Sequence, residues 1–314
     1  MRTWQRWFPD AQAVITDICA TYLSFGSFED GPCATDAEFK DRLRLNQLYG
    51  YAALYWGEHA REAGGISRVA LDFLRSDSLV EAHVQAIMAT KRPRFFGANS
   101  LIFPRQMHGL SVAAYFGILD AVEILLQSSS NNDLKDSFDE TPLFKAAREG
   151  HEAVVKMLLD TQKVDVDSKG SYGQTPLSIA ATCGHEAVVK TLLEIGKAEV
   201  DSKDDEGLTP LSLAAWNGRE AVVKILLEIG KADVNSKDDD GWMPLSLAAW
   251  KGHEAVVKTL LEIGKADVDS KGDDGKTPLS RAAEQGQIAV VKILLEIGKA
   301  DANWEDINGR TPLI

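Results

Sequence analysis

The stretch Gly207-Leu208-Thr209-Pro210-Leu211-Ser212-Leu213-Ala214-Ala215-Trp216-Asn217-Gly218 decides how the rest of the chain is read. The Thr209 hydroxyl can cap a helix, and Pro210 suits the first helical position, where no N–H is needed. Leu211, Ala214 and Ala215 share one helical face, and the small alanines let a second helix approach closely. Gly218 closes this helix, because glycine enters the left-handed region at little cost. Val222, Val223, Leu226 and Leu227 follow at i, i+1, i+4 and i+5, the apolar stripe of a second helix. Gly230 reads as the residue that closes it. Asp233 to Gly241 is then extended and turn-rich, with a tight bend at Asp240-Gly241.

The same unit recurs in both directions. Proline stands at Pro142, Pro176, Pro210, Pro244, Pro278 and Pro312, each step being 34 residues. Paired alanines follow at 146/147, 180/181, 214/215, 248/249 and 282/283, and then Gly150, Gly184, Gly218, Gly252 and Gly286. A worn copy earlier in the chain runs through His108-Gly109-Leu110, Ala113-Ala114, Gly117 and Leu125-Leu126. One unit cannot bury its own apolar stripe, whereas stacked copies can, so a fixed period of this size predicts a solenoid.

These residues resemble the ankyrin repeat, whose Gly-x-Thr-Pro-Leu-His-x-Ala-Ala-x-x-Gly-His pattern is matched from Gly207 to Gly218 and, with changes, in each copy. The resemblance covers about two thirds of the chain and implies an all-α ankyrin-repeat α-solenoid of helix-turn-helix units and hairpin loops. On this reading residues 103–314 hold one degenerate copy, five full copies and one truncated copy. There are three departures from the family pattern. The family's histidine after Thr-Pro-Leu is replaced by Ser178, Ser212, Ser246 and Ser280, or by Phe144, which predicts looser ties between neighbouring loops. The period is 34 rather than the family's usual 33, because Lys197, Lys231, Lys265 and Lys299 follow the second-helix glycine. The chain also stops at Ile314 inside a repeat, so its last unit is expected to lack a full polar cap.

Residues 1–90 read as a helical segment, with Phe39 to Ala63 and Arg68 to Ala89 apolar at helical spacing, and residues 91–102 read as a linker. Pro32 and Cys33 mark a loop before the first of these helices. Trp7-Phe8-Pro9-Asp10-Ala11, Thr21-Tyr22-Leu23-Ser24-Phe25 and residues 48–60 are similar to the helical region that joins a NACHT module to ankyrin repeats in fungal NLR-like receptors. That resemblance implies an alternative function, the regulatory or sensor part of a nucleotide-switched signalling NTPase whose nucleotide module lies elsewhere. A phosphate loop needs Gly-x4-Gly-Lys-Ser/Thr, and the nearest string, Gly275-Lys276-Thr277, has Ser270 where the first glycine belongs.

Composition narrows the remaining classes. The net charge is −13, and residues 1–108, with 12 basic and 12 acidic side chains, contribute none of it. The repeats are therefore acidic, which opposes binding to a phosphate backbone. The most apolar stretch, Leu110 to Leu126, is interrupted by Asp120 and Glu123 and does not read as a membrane span. Cys19, Cys33 and Cys183 are odd in number and form no CxxC pair, which fits a reducing, intracellular and more specifically cytoplasmic setting better than a disulfide framework or zinc site. His151, His185 and His253 open second helices and read as structural. The Asp-Asp runs lack calcium-loop spacing and read as solvated hairpin tips. We therefore expect no enzyme activity, cofactor or metal.

Comparing the copies with one another locates candidate binding residues. Val-Asp-Ser-Lys, Pro-Leu-Ser and Glu-Ala-Val-Val-Lys hardly vary. Differences gather just before the first glycine, at Arg148, Trp216, Asn217, Trp250 and Lys251, and in the hairpin, at Tyr172, Gln174, Leu208, Trp242 and Lys276. Stacked in register, these would share one concave rim, which is where ankyrin proteins usually meet their partners. Exposed tryptophans are favoured interface anchors, so the expectation is a protein partner, with a basic surface to match the acidic array.

Overall fold

The computed structural model describes residues 10–91, 101, 103–128 and 132–312, and among these there are helices and loops but no strand. The expected linker at 91–102 lies outside the described residues except for Lys91 and Leu101. The chain forms two compact units, residues 1–165 and 166–314.

The first unit opens with α1 (Ala11–Leu23), α2 (Gly26–Glu29), α3 (Asp36–Leu45), α4 (Tyr49–Ala63), α5 (Arg68–Leu74) and α6 (Asp77–Lys91). Each of the two long helices expected from periodicity is in fact two. Asn46 ends α3, its side-chain amide donating to the Arg42 carbonyl at 2.9 Å. Arg75 and Ser76 separate α5 from α6, and Ser67 caps α5 by accepting from the Ala70 N–H. The loop expected at Cys33 is there, pinned by paired bonds between its backbone and the Gln85 amide. Trp56 and His83 are fully buried at the centre of the bundle, with Trp56 donating its Nε1–H to His83 Nε2 at 2.9 Å. Phe73 and Phe116 close over them.

Phe116 belongs to α7 (Gly109–Phe116), which pairs with α8 (Leu119–Ser128) as the worn first repeat. Its ring occupies the space a side chain at Gly57 would need, so the helical bundle and the first repeat share one core. The next pair is α9 (Pro142–Glu149) and α10 (Glu152–Asp160). Beneath α9 lies a buried ion cluster, in which Lys145 bridges Asp136 (2.6 Å) and Glu140 (2.7 Å) and Arg148 reaches Glu140 (2.6 Å). Burial opposes the charge on Glu140, but Lys145 and Arg148 outweigh it and hold its carboxyl below the usual range.

The second unit holds four helix pairs: α11 (Pro176–Cys183) with α12 (Glu186–Thr191), α13 (Pro210–Trp216) with α14 (Glu220–Ile225), α15 (Pro244–Lys251) with α16 (Glu254–Glu262), and α17 (Pro278–Glu284) with α18 (Ile288–Ile293). Thr175, Thr209 and Thr277 cap as expected, each accepting from the N–H three residues on, while Met243 supplies no side-chain cap. The short first helices end at Gly184, Gly218, Gly252 and Gly286, all with positive φ.

The second helices do not end as expected. Lys197, Lys231, Lys265 and Lys299, not the glycines before them, hold the left-handed conformation, with φ of 56–59°. In three copies the helix widens into a π-turn just before, at Leu192–Gly196, Leu226–Gly230 and Leu294–Gly298. In every copy the following alanine N–H returns to a leucine carbonyl six residues back, as Ala232 does to Leu226 at 3.1 Å. The extra residue of the 34-residue period is absorbed in this wider closing turn. The glycine is needed for space instead, because a side-chain carbon at Gly230 would sit 2.7 Å from Val200 Cγ2.

The hairpin loops are tied without the family histidine. Ser178, Ser212 and Ser280 face their capping threonines at 3.1–3.2 Å. The loop ties come from the invariant Val-Asp-Ser-Lys segment and its variant around Asn235. Lys169, Lys203 and Lys237 each donate to the carbonyl of the equivalent lysine in the next repeat, at 2.7–2.9 Å. Asp167, Asp201, Asn235 and Asp269 accept backbone N–H groups from the next loop. His253 is structural as expected, its Nε2 lying 3.0 Å from the Trp216 carbonyl that ends α13. Arg219 and Gln287 bond the equivalent carbonyls of Thr182 and Trp250.

A left-handed non-glycine residue costs roughly 1–2 kcal/mol, so Lys231→Gly should stabilise the array, by about 0.5–1 kcal/mol once glycine's extra unfolded-state freedom is counted. Gly230→Ala should do the reverse, by about 1–3 kcal/mol, since stiff Val200 cannot yield easily. Urea unfolding midpoints moving in these opposite directions would bear out the closing turn. In the first unit, burial pulls the His83 imidazole from 6.5 down to about 4. Between those values the unfolded chain binds a proton that the folded chain refuses, so lowering the pH through that window costs stability, up to roughly 3 kcal/mol. An NMR titration of the His83 ring should give a midpoint near 4; one near 6.5 would contradict the sealed pocket.

Candidate functional site

The second unit brings together most of the variable positions. A groove of about 450 Å³ is lined by Leu208, Leu213, Trp216, Asn217, Trp242 and Leu247, with the carboxylates of Glu206, Asp238 and Asp240 at its polar side. Its geometry follows from the repeat. Trp216 ends α13, where His253 of the next repeat holds its carbonyl. Trp242 lies in the hairpin loop one repeat on, its backbone N–H donating to Asp238 Oδ1 at 2.7 Å. The same oxygen accepts from the Asp240 N–H, so Asp238 both shapes the hairpin tip and faces the groove.

Trp216 is 36% exposed and Trp242 and Trp250 are half-buried, so none of the three indoles is sealed inside the stack. Trp250 meets Trp242 edge to face, with ring centroids 5.6 Å apart. Each groove tryptophan carries a cation. Lys251 Nζ sits 3.9 Å from the Trp216 ring centre, and the Arg281 guanidinium lies 3.3 Å from that of Trp242. Arg281 is only 1% exposed and bonds Asp274 at 2.9 Å. Burial is the largest influence on its guanidinium and pulls its pKa down, against the pull of Asp274, Glu284 and Asp238. Burial likewise raises the Asp238 carboxyl; the N–H groups of Trp242 and Asp240 oppose this, and the charges of Asp240 and Asp239 add to it.

The remaining variable positions lie elsewhere. Lys276 is bonded to Glu284 (2.7 Å) and lines a separate groove of about 380 Å³ with Asp306 and Arg310. Tyr172 is 76% exposed and left-handed at φ 65°, and its carbonyl accepts from the Asp205 N–H. Gln174 is half-buried, its carbonyl accepting from the Gly170 N–H. Arg148 belongs to the first unit, in the Glu140 ion cluster.

Sequence comparison missed Arg281, Leu213, Leu247 and the three carboxylates. One column carried a signal for the first three: the third residue after the repeat proline is Ile179, Leu213 and Leu247, then Arg281. A cation replacing an aliphatic residue at a buried register position has to find partners nearby, and here they are Trp242 and Asp274.

No cluster of three or more His, Cys, Asp or Glu side chains among the described residues is arranged to hold a metal ion. None of the described helices is long and apolar enough to cross a membrane.

Removing the Trp242 ring should leave the buried Arg281 without its stacking face. Trp242→Ala is expected to lower stability by about 3 kcal/mol or more, and Trp216→Ala by much less. Equal unfolding midpoints for the two variants would contradict the asymmetry.

Comparison with known proteins agrees with this architecture. The family model for ankyrin repeats (3 copies) matches residues 110–204, 195–271 and 263–314. The structure is similar to the ankyrin repeat domain of Bcl-3, a unique member of the IkappaB protein family, at 27% identity and a TM-score of 0.58, over 65% of this chain and 91% of that one. It is similar also to the human ASB11 ankyrin repeat domain, at 31% identity and a TM-score of 0.58, over 65% and 89% of the two chains. Comparison with curated protein sequences gives no match. With its family model spanning residues 110–314, this chain belongs to the ankyrin-repeat family.

Proposed function

We propose that the chain is a non-catalytic protein-recognition module whose partner docks on the concave face of the second unit, across the groove of Trp216 and Trp242. The observation that carries this reading is the gathering of Leu208, Trp216, Asn217 and Trp242 on one groove, with Trp250 and Lys251 against its tryptophans. These are positions at which otherwise near-identical repeats differ. Side chains that vary on an invariant scaffold suit selection of a partner, and partly exposed indoles are strong anchors, worth roughly 2 kcal/mol or more each. Tyr172 and Lys276 extend the surface to the neighbouring repeats of the same unit, and Gln174 is a secondary member of it.

The acid excess of the repeats supports a partner with a basic surface and argues against nucleic acid. None of Cys19, Cys33 and Cys183 is in a disulfide, which supports an intracellular, cytoplasmic setting. A second reading, the sensor part of an NLR-like receptor, draws support from the packing of α4, α5 and α6 against the first repeat.

Affinity capture with the wild type against Trp216→Ala/Trp250→Ala tests the main reading. The double variant should lose its partners about tenfold or more, and wild-type binding should weaken as salt rises. Equal recovery of every partner by both proteins would remove the surface assignment.

A further inference from the structure

We infer that the groove takes one arginine side chain from a basic segment of the partner, its guanidinium held by Glu206, Asp238 and Asp240 and its plane lying on an indole wall. This deepens the reading of that face as the partner-docking surface, and rests on it.

In the neighbouring groove the carboxylates are paired internally: Glu284 with Lys276, Asp306 with Arg310, and nearby Asp274 with Arg281. All three of Glu206, Asp238 and Asp240 line the tryptophan groove, and among the described residues no cation lies within ion-pair distance of them; Arg281, paired with Asp274, acts on Asp238 only from farther off. Three carboxylates beside apolar walls form an electrostatic slot, and the walls raise the strength of any ion pair made there. The walls themselves suit a cation. Each groove indole already holds one of the protein's own cations, Lys251 on Trp216 and Arg281 on Trp242. Leu208, Leu213 and Leu247 would cover the aliphatic stem of an inserted side chain. A guanidinium fits this combination better than an ammonium, because it stacks flat on aromatic rings while its fork of donors meets carboxylates.

The test uses the full chain and three blocked pentapeptides, Ala-Leu-Xaa-Leu-Ala, with arginine, lysine or uncharged citrulline at the centre. Indole N–H resonances are followed by NMR, those of Trp216 and Trp242 being assigned from Trp216→Phe and Trp242→Phe. The arginine peptide should move both signals saturably and bind at least tenfold more tightly than the citrulline peptide. Glu206→Gln/Asp238→Asn/Asp240→Asn, which keeps the acceptors that cap the hairpin, should cut that affinity at least tenfold with an unchanged circular dichroism spectrum. Absence of saturable shifts, equal binding of citrulline or lysine peptide, or wild-type affinity in the triple variant would overturn the slot. If the triple variant still captures the natural partners while Trp216→Ala/Trp250→Ala loses them, the docking face stands and only the slot fails. If both variants keep the partners, the docking face fails with it.

Discussion

The structure depends on one constraint: no repeat can hide its own apolar stripe. Leu211, Ala214, Ala215, Val222, Val223 and Leu226 come from two short helices, and each is at most 1% exposed. A helix of seven residues and one of six extended by a π-turn are too short to persist alone in water, so the burial comes from neighbouring repeats on either side. The hydrogen bonds that accompany this stacking are directional and set its register. A lysine ammonium reaches the next lysine's carbonyl, an aspartate accepts the next loop's N–H, and a histidine, arginine or glutamine side chain meets the end of the previous helix. Apolar burial supplies most of the stability, and these bonds decide where each rim side chain falls.

That register explains why the tryptophan groove exists. Trp216 and Trp250 occupy equivalent positions 34 residues apart, and Trp242 stands in the hairpin between them. A slip of one residue in any loop would separate Trp216 from Lys251 and Trp242 from Arg281, pairs that are 35 and 39 residues apart in sequence. The two unexpected features of the closing turn serve the same end. The π-turn and left-handed lysine take up the extra residue at the far end of each unit, so hairpin spacing remains regular although the period is one longer than the family's usual length.

What could be read from sequence was what repeats at a fixed step. Thr209 and Pro210 announced a helix start, Gly218 its end, and the pairs Val222-Val223 and Leu226-Leu227 the second helix, because each rests on local backbone chemistry. Gly230 misled, because a glycine near a helix end suggests a left-handed cap, whereas here it marks close approach by Val200 and Lys231 takes the strained conformation. In the amino-terminal helices a continuous apolar pattern hid the breaks at Asn46 and Ser76, since the pattern persists when two helices share one core. The groove was half legible. Its tryptophans stood out as differences between copies, but Glu206, Asp238 and Asp240 resemble every other acidic hairpin tip until the fold shows which carboxylates have no cation within ion-pair distance.

The two cations on the tryptophans play different parts, and burial separates them. Arg281 is enclosed, bonded to Asp274 and stacked on Trp242, so it acts as part of the wall and fixes that indole's plane. Lys251 is exposed and has no ion pair among the described residues, so under the proposed reading a guanidinium would displace it from Trp216 for little more than one exposed cation–π contact, about 0.5–1 kcal/mol. Until then it covers an apolar ring that would otherwise face water. On the proposed docking reading, a groove with one fixed wall and one exchangeable cover would be solvated when empty and dry when filled.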